Sequence, residues 1–125
     1  MKVLIADDDP DFVVLVKTFL EAQGCRIVVA QDTMRAAMLA RREGPDVVLL
    51  DVNMPGGGGI GTLKQLKAST KFGAIPVVVI SARDDEELPR TAAELGAARF
   101  IRKPVDLETM HRTLLDLVAA PAPGR

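Results

Sequence analysis

The chain has no tryptophan and no tyrosine, and it has only one cysteine and one histidine. Because a single cysteine cannot form an internal disulfide, and because no residues near Cys25 have metal-ligand spacing, we expect a reducing, cytoplasmic setting. Cys25 should then pack as a small apolar side chain. His111 falls on the apolar stripe of the last predicted helix without a titratable partner, so we interpret it as a partly buried structural residue.

Strong net charge and long apolar runs are missing as well. The formal net charge of the 125 residues is −1, with lysine and arginine scattered along the chain, so the basic stripe of a nucleic-acid-binding surface is absent. No apolar run reaches the length that spans a membrane, and the first residues enter a strand directly, which argues against a signal peptide. A hydrophobic content of 48% predicts one globular domain with a single core.

Five short apolar segments alternate with five helix-like segments. Strands that are apolar throughout and separated by single helices are typical of a parallel sheet covered on both faces. We therefore predict an α/β fold: a doubly wound, flavodoxin-like, five-stranded parallel sheet with strand order 2-1-3-4-5 and five helices. The predicted strands are residues 3–6, 27–30, 46–51, 77–80 and 99–102.

The predicted helices carry apolar residues at the spacing i, i+3, i+4 and i+7. We expect Asp32 and Asp106 to be N-caps, and Pro89 predicts a fourth helix that is short or begins near this proline. The residues expected to face inward are Phe12, Leu15, Val16, Phe19 and Leu20 in the first helix, Met34, Ala37 and Met38 in the second, and Leu107, Met110, Leu114, Leu115 and Val118 in the last.

Three carboxylates follow the ends of two predicted strands. Asp7 and Asp8 come after the first strand, and Asp51 ends the third. In the predicted strand order these ends meet at the switch point where such folds bind ligands. Because like charges so close together repel, the cluster needs a cation, and hard oxygen ligands suit Mg²⁺. Asp9 or Asp11 can cap the first helix, which leaves the preceding pair free.

Three further polar residues fall at the same edge of the predicted sheet. Asn53 follows Asp51 by two residues, Ser81 ends the fourth strand, and Lys103 follows the fifth. A carboxylate can be a nucleophile and form an aspartyl phosphate. A divalent cation, Lys103 and Ser81 would then neutralise and hydrogen-bond the oxygens of the transferring phosphoryl group.

With these motifs the chain resembles the receiver domain of bacterial two-component response regulators along nearly its whole length. The matching strings are VLIADDDP at residues 3–10, DVVLLDVNMP at 46–55, VVVISAR at 77–83 and GAARFIRKP at 96–104. The resemblance implies a receiver domain over residues 1–118. The alanine, proline and glycine of residues 119–125 are typical of a flexible tail or linker stub.

The resemblance also implies a role for each acidic residue. Asp51 would accept a phosphoryl group from the phosphohistidine of a sensor histidine kinase or a histidine phosphotransfer protein. Asp8 and Asp51 would give carboxylate ligands to Mg²⁺, Asn53 would give its backbone carbonyl, and Asp7 would act through water.

By the same resemblance, Lys103 would contact the phosphoryl oxygens and Ser81 would move to hydrogen-bond them. Phe100 matches the aromatic switch position, which turns inward with that movement. Asn53 and Arg83 occupy the positions that tune the rate of dephosphorylation in the family.

The implied activity is that of a signalling switch, which catalyses only its own phosphorylation and dephosphorylation. Phosphorylation would change a binding surface formed by helix 4, strand 5 and helix 5. That surface would bind a downstream target, a linked output domain, or a second copy in a homodimer that forms on phosphorylation.

Two other functional classes remain alternatives. A metal-dependent phosphohydrolase with an aspartyl nucleophile usually has a second aspartate two residues later, where this chain has Asn53. A flavodoxin-like nucleotide binder needs a phosphate-binding loop after strand 1, where Asp7, Asp8 and Asp9 would repel phosphate. The glycine run at residues 56–59 lacks the Lys-Ser/Thr ending of a P-loop, and we interpret it as a flexible connection.

Overall fold

The computed structural model describes residues 1–53, 58–69 and 73–119. Five strands form one parallel sheet in the order β2-β1-β3-β4-β5. The strands are β1 (Lys2–Ala6), β2 (Arg26–Ala30), β3 (Val47–Asp51), β4 (Val77–Ser81) and β5 (Arg99–Arg102). The predicted fold class and strand order are therefore confirmed.

Five helices cover the two faces of this sheet. They are α1 (Pro10–Ala22), α2 (Thr33–Glu43), α3 (Gly59–Ala68), α4 (Leu88–Glu94) and α5 (Leu107–Ala119). Because side chains alternate along a strand, Leu4 and Leu50 pack towards α2, α3 and α4, whereas Ile5 and Leu49 pack towards α1 and α5. None of the helices in the described ranges is long and apolar enough to cross a membrane.

The buried face of α2 differs from the prediction. Met34 is 82% exposed and Met38 is 46% exposed, so the expected inward face is wrong. The buried residues of the helix are Thr33, Ala36 and Ala40. Because these side chains are small, the helix can lie close to the sheet, and its two large apolar side chains are left at the surface.

The predicted apolar stripes of α1 and α5 are too wide. Leu15 is 54% exposed, Leu115 is 46% exposed and Val118 is 36% exposed, so these three positions do not face inward. Val13 and Leu117 pack against the core instead. Each helix packs against the sheet along one side only. Residues at the edge of its apolar stripe therefore do not contact the sheet and stay exposed.

The predicted helix starts agree with the structure. Asp32 caps α2 by accepting a hydrogen bond from the Arg35 N–H at 2.8 Å. Asp106 caps α5 by accepting from the Glu108 N–H at 3.1 Å. The seven-residue α4 has Pro89 in its first turn, as expected for a short helix.

Several smaller predictions can also be compared with the structure. Cys25 is buried in the core, as expected. His111 is half-buried, and its ring meets Phe19 edge-on with the ring centres 6.1 Å apart. The tail beyond Ala119 and half of the glycine run, at 56–57, lie outside the described residues, so the predicted boundary between domain and tail stays a prediction.

Candidate functional site

The carboxyl ends of β1 and β3 bring three carboxylates together. One oxygen from each of Asp7, Asp8 and Asp51 lies within 4.8 Å of the others. Asp7 and Asp51 are buried, whereas Asp8 is exposed. The Asp7 N–H donates to the Ala30 carbonyl at 3.0 Å, so β1 stays paired with β2 for one residue beyond its end.

Local turns orient the two buried carboxylates. Asp7 Oδ1 accepts the Asp9 N–H at 2.9 Å, and Asp51 Oδ1 accepts the Asn53 N–H at 2.8 Å. Each aspartate thus binds the backbone two residues further on, as aspartate does in turns, and its Oδ2 is left for other partners. Asp9 itself caps α1, accepting the Asp11 N–H at 3.1 Å, so the cap does not use the acidic pair before it.

Lys103 brings one positive charge to the two buried carboxylates. Its Nζ lies 2.9 Å from Asp7 Oδ2 and 3.5 Å from Asp51 Oδ2, and the side chain is only 16% exposed. The Lys103 N–H donates to the Ser81 carbonyl at 2.9 Å, which fixes the start of the side chain at the sheet edge. The following peptide bond, to Pro104, is cis.

The pKa shifts in the pocket follow from the burial and close approach of these charged groups. Burial raises the pKa of Asp7, and the negative charge of Asp51 raises it further. Burial alone would lower the pKa of Lys103, but its attraction to Asp7 and Asp51 outweighs this effect, so the pKa of Lys103 is raised overall. Lys103 is therefore held in its charged form, and Asp7 and Asp51 share its single charge.

The donor set fits a hard divalent cation. Apart from its ion pair with Lys103, the buried Asp7 Oδ2 has no hydrogen-bond partner among the described residues. Three carboxylates with one ammonium leave surplus negative charge, and oxygen donors of this kind are the ligands that Mg²⁺ prefers. The exposed Asp8 places part of this cluster within reach of solvent.

Ser81 is fully buried at the end of β4, next to the carboxylates. Its Oγ accepts the Arg83 N–H at 3.0 Å and the Asn53 side-chain amide at 3.4 Å. The hydroxyl therefore closes the turn after β4 and contacts the loop after β3. The structure brings Asp51, Asn53 and Ser81 to the same sheet edge, as predicted.

Phe100 and Arg83 lie further from the carboxylates. Phe100 is half-buried in β5 and packs against the side of the sheet covered by α2, α3 and α4. The Arg83 guanidinium pairs with Asp85 Oδ2 at 3.2 Å. Both residues therefore belong to the β4–α4 and β5 region beside the pocket and have no direct contact with Asp51 that the structure records.

The sequence of this chain matches a known family. Residues 3–115 match the model of the response regulator receiver domain. The chain belongs to that family. The carboxylate cluster, Ser81 and Lys103 of this receiver domain lie at the edge of its sheet where the carboxyl ends of β1, β3, β4 and β5 meet.

Two relatives differ in how much of their own length this chain matches. The chain is 35% identical to protein PilH of Pseudomonas aeruginosa over 94% of its own length and 98% of that protein. It is 31% identical to the KDP operon transcriptional regulatory protein KdpE of Escherichia coli, over 90% of its own length and 48% of that protein. The chain thus matches nearly all of PilH but only about half of KdpE.

A solved structure shows the same fold. The receiver domain of the sensor histidine kinase PA1611 from Pseudomonas aeruginosa matches with a TM-score of 0.87 at 19% identity. The match covers 95% of this chain and 98% of that one. That structure has a magnesium ion coordinated in its active-site cleft.

Two residues of this receiver domain make contacts near the site that the sequence did not predict. Arg102 places its guanidinium over the Phe100 ring, 5.3 Å from its centre, and donates hydrogen bonds to the Arg83 and Asp85 carbonyls. The i, i+2 spacing of Phe100 and Arg102 puts both on one face of β5, which could have indicated this contact. The second residue, Phe12, was assigned only to the core, although its ring also contacts Lys103.

Proposed function

We propose that this receiver domain is a phosphorylation-operated switch in which Asp51 accepts a phosphoryl group from a phosphohistidine. The phosphodonor would be a sensor histidine kinase or a histidine phosphotransfer protein. The observation that carries the proposal is the position of the Asp51 carboxylate: it is buried, lies beside the Lys103 ammonium, and shares its pocket with Asp7 and Asp8.

The two oxygens of Asp51 have different environments. Oδ1 accepts the Asn53 N–H, whereas Oδ2 faces Lys103 Nζ at 3.5 Å. We therefore assign Oδ2 as the attacking oxygen: it forms the bond to phosphorus while the bond from phosphorus to the histidine nitrogen breaks. The Lys103 ammonium is then close enough to compensate charge on the phosphoryl oxygens.

Asp8 and Asp51 would hold Mg²⁺ through carboxylate oxygens, with the Asn53 backbone carbonyl as a further ligand and Asp7 acting through water. The bound ion would neutralise negative charge on the phosphoryl group during transfer. The surplus of carboxylates supports this donor set, as does the buried Asp7 Oδ2, whose partner among the described residues is the Lys103 ammonium. The exposure of Asp8 supports entry of the ion from solvent.

Signalling would depend on Ser81. To hydrogen-bond a phosphoryl oxygen, Ser81 would donate its O–H, because its Oγ already accepts the Arg83 N–H at 3.0 Å, and its side chain would move towards the phosphoryl group. That change would move the turn after β4 and let Phe100 turn inward. The output surface would be α4, β5 and α5, and it would bind a target, a linked output domain or a second copy. Asn53 and Arg83 would tune the lifetime of the phosphorylated state.

The test is incubation of the purified protein with phosphoramidate and Mg²⁺, followed by intact-mass measurement. The wild type and the exposed control Asp116→Asn should each gain one phosphoryl group, and Asp51→Asn should gain none. A phosphorylated Asp51→Asn protein would show that another residue is the acceptor. Sustained turnover of p-nitrophenyl phosphate by the wild type would instead favour a phosphohydrolase.

A further inference from the structure

The Lys103 ammonium has an aromatic neighbour as well as two acidic ones. Its Nζ lies 4.2 Å from the centre of the Phe12 ring, in addition to its contacts with Asp7 and Asp51. A cation over the face of a ring is attracted by the negative charge of that face. The ring and the carboxylates together define the position of the ammonium.

We propose that Phe12 is a positioning residue for phosphoryl transfer, because its ring face holds the Lys103 ammonium where the phosphoryl oxygens arrive. This inference rests on the function proposed above. Phe12 contacts neither the phosphoryl group nor the metal in this scheme and acts through Lys103.

The Phe12 ring contributes most to the position of the Lys103 ammonium when a divalent cation occupies the pocket. Asp7 and Asp51, the acidic partners of Lys103, belong to the cluster that fits a divalent cation, so a bound cation competes with the ammonium for their oxygens. An aromatic ring does not ligate a hard cation, which takes oxygen donors. The contact with Phe12 therefore persists when the contacts with the carboxylates weaken, and the long lysine side chain keeps one fixed partner.

The backbone around Phe12 fixes the position of the ring. Asp9 caps α1, accepting the Phe12 N–H at 3.4 Å, and the Val13 N–H donates to the Asp9 carbonyl at 3.0 Å. Phe12 thus lies in the first helical turn after the acidic pair, and its half-buried side chain packs against the core beneath α1 and α5. The same turn that leaves Asp7 and Asp8 free for the pocket also places the ring under the ammonium.

Phe12→Leu removes the aromatic face and keeps an apolar side chain, so it is the test variant. Phosphorylation of Asp51 by phosphoramidate and Mg²⁺ should be about 2- to 30-fold slower, from the usual strength of a cation–π contact. Phe12→Tyr, which keeps the ring face, should restore the rate. The matched control is Phe19→Leu, since Phe19 is also half-buried on α1 but contacts His111. An unchanged rate in Phe12→Leu would overturn the proposal.

The same substitution in a Lys103→Ala variant distinguishes a role of Phe12 in positioning the lysine from a role in packing the fold. In Lys103→Ala, the further change Phe12→Leu should not slow the residual phosphorylation. An equal slowing with and without the lysine would mean that Phe12 acts through the fold alone, and it would overturn the proposal.

The contact itself can be measured without metal or phosphodonor. In NMR spectra of the metal-free protein, ring current should shift the Lys103 Cε protons upfield in the wild type and in Phe19→Leu, and the shift should vanish in Phe12→Leu. If the spectra of the wild type and Phe12→Leu do not differ at the Lys103 Cε protons, the positioning role is wrong, but the proposed phosphorylation of Asp51 is unaffected. If the shift is present but wild-type Asp51 takes up no phosphoryl group, the proposed function fails, and the positioning role fails with it.

Discussion

At the scale of single residues, the pocket concentrates more negative charge than its one lysine can balance. Asp7 and Asp51 are buried and share the Lys103 ammonium, and Asp8 adds a third charge at the surface. The raised pKa of Asp7 is the direct consequence of its burial and of the charge on Asp51. The carboxylates therefore work against folding until a cation joins them.

Removing one of these negative charges in the absence of metal should not lower the free energy of unfolding. In excess chelator, Asp8→Asn should raise the free energy of unfolding by up to roughly 1 kcal/mol, because it relieves repulsion at a solvent-exposed position. Urea unfolding followed by circular dichroism measures this, with Asp116→Asn as the control for loss of an exposed carboxylate. A clear loss of stability in Asp8→Asn would mean that the cluster does not carry surplus charge.

At the scale of secondary-structure elements, Arg102 ties β5 to the turn after β4. Its guanidinium covers the Phe100 ring and donates to the Arg83 and Asp85 carbonyls. Arg102→Ala should therefore speed hydrogen exchange of the Arg83 and Glu87 amides about 2- to 10-fold, the range expected for the loss of a hydrogen bond. Arg99→Ala is the matched control, since Arg99 lies on the same strand and its guanidinium donates to the adjacent Ala98 carbonyl at 2.7 Å, not to the turn after β4. Equal exchange in both variants would contradict this role.

The cap of α5 gives a prediction about pH. Hydrogen bonds with Thr109 lower the pKa of Asp106 below its ordinary value of 3.8. A carboxyl whose pKa is lower in the folded state adds stability above its ordinary pKa, and this stability is lost as the pH falls through the lower, folded value. Asp106→Asn keeps a capping side chain but cannot titrate.

Thermal unfolding measured from pH 5 to about pH 2 should therefore show a steeper fall in Tm for the wild type than for Asp106→Asn. The difference between the two curves isolates this group from the other carboxylates. Parallel curves over the whole range would show that the cap does not depend on the charge of Asp106.

The sequence predicted the strands more reliably than the helix faces. A strand in a doubly covered sheet is apolar on both sides, so a run such as Val47–Leu50 is recognisable without knowing its neighbours. A helix has one buried stripe, and its rotation depends on what it packs against. In α2 the two methionines suggested the wrong side, because small Ala36 and Ala40 allow the closer approach to the sheet.

At the scale of the whole molecule, the strand order alone brings the site residues together at one edge of the sheet. Asp7 directly follows β1, Asp51 and Ser81 end β3 and β4, and Lys103 directly follows β5, and these four strands are neighbours in the sheet. The sequence could therefore predict which residues meet at this edge. It could not predict that Lys103 lies over Phe12 or that Arg102 covers Phe100, since such contacts depend on side-chain directions that no local pattern encodes.

Because the site joins β1, β3 and the segment after β5, a cation bound there should stabilise the entire fold. A ligand that binds only the folded state adds about 2.7 kcal/mol at a concentration one hundred times its dissociation constant. Titration with MgCl₂ should therefore raise the Tm of the wild type and of Asp116→Asn to a similar extent. Asp8→Asn, the variant expected to be no less stable in chelator, should gain much less from Mg²⁺.

The order of stability between Asp8→Asn and the wild type should thus reverse as Mg²⁺ is added. In the absence of metal, Asp8→Asn is more stable because it has less charge repulsion. In the presence of Mg²⁺, the wild type is more stable because it keeps the carboxylate ligand. NaCl at matched ionic strength controls for simple screening, which would relieve repulsion without a specific site. An equal rise in Tm for both proteins, or the same rise with NaCl, would contradict a specific metal site at these carboxylates.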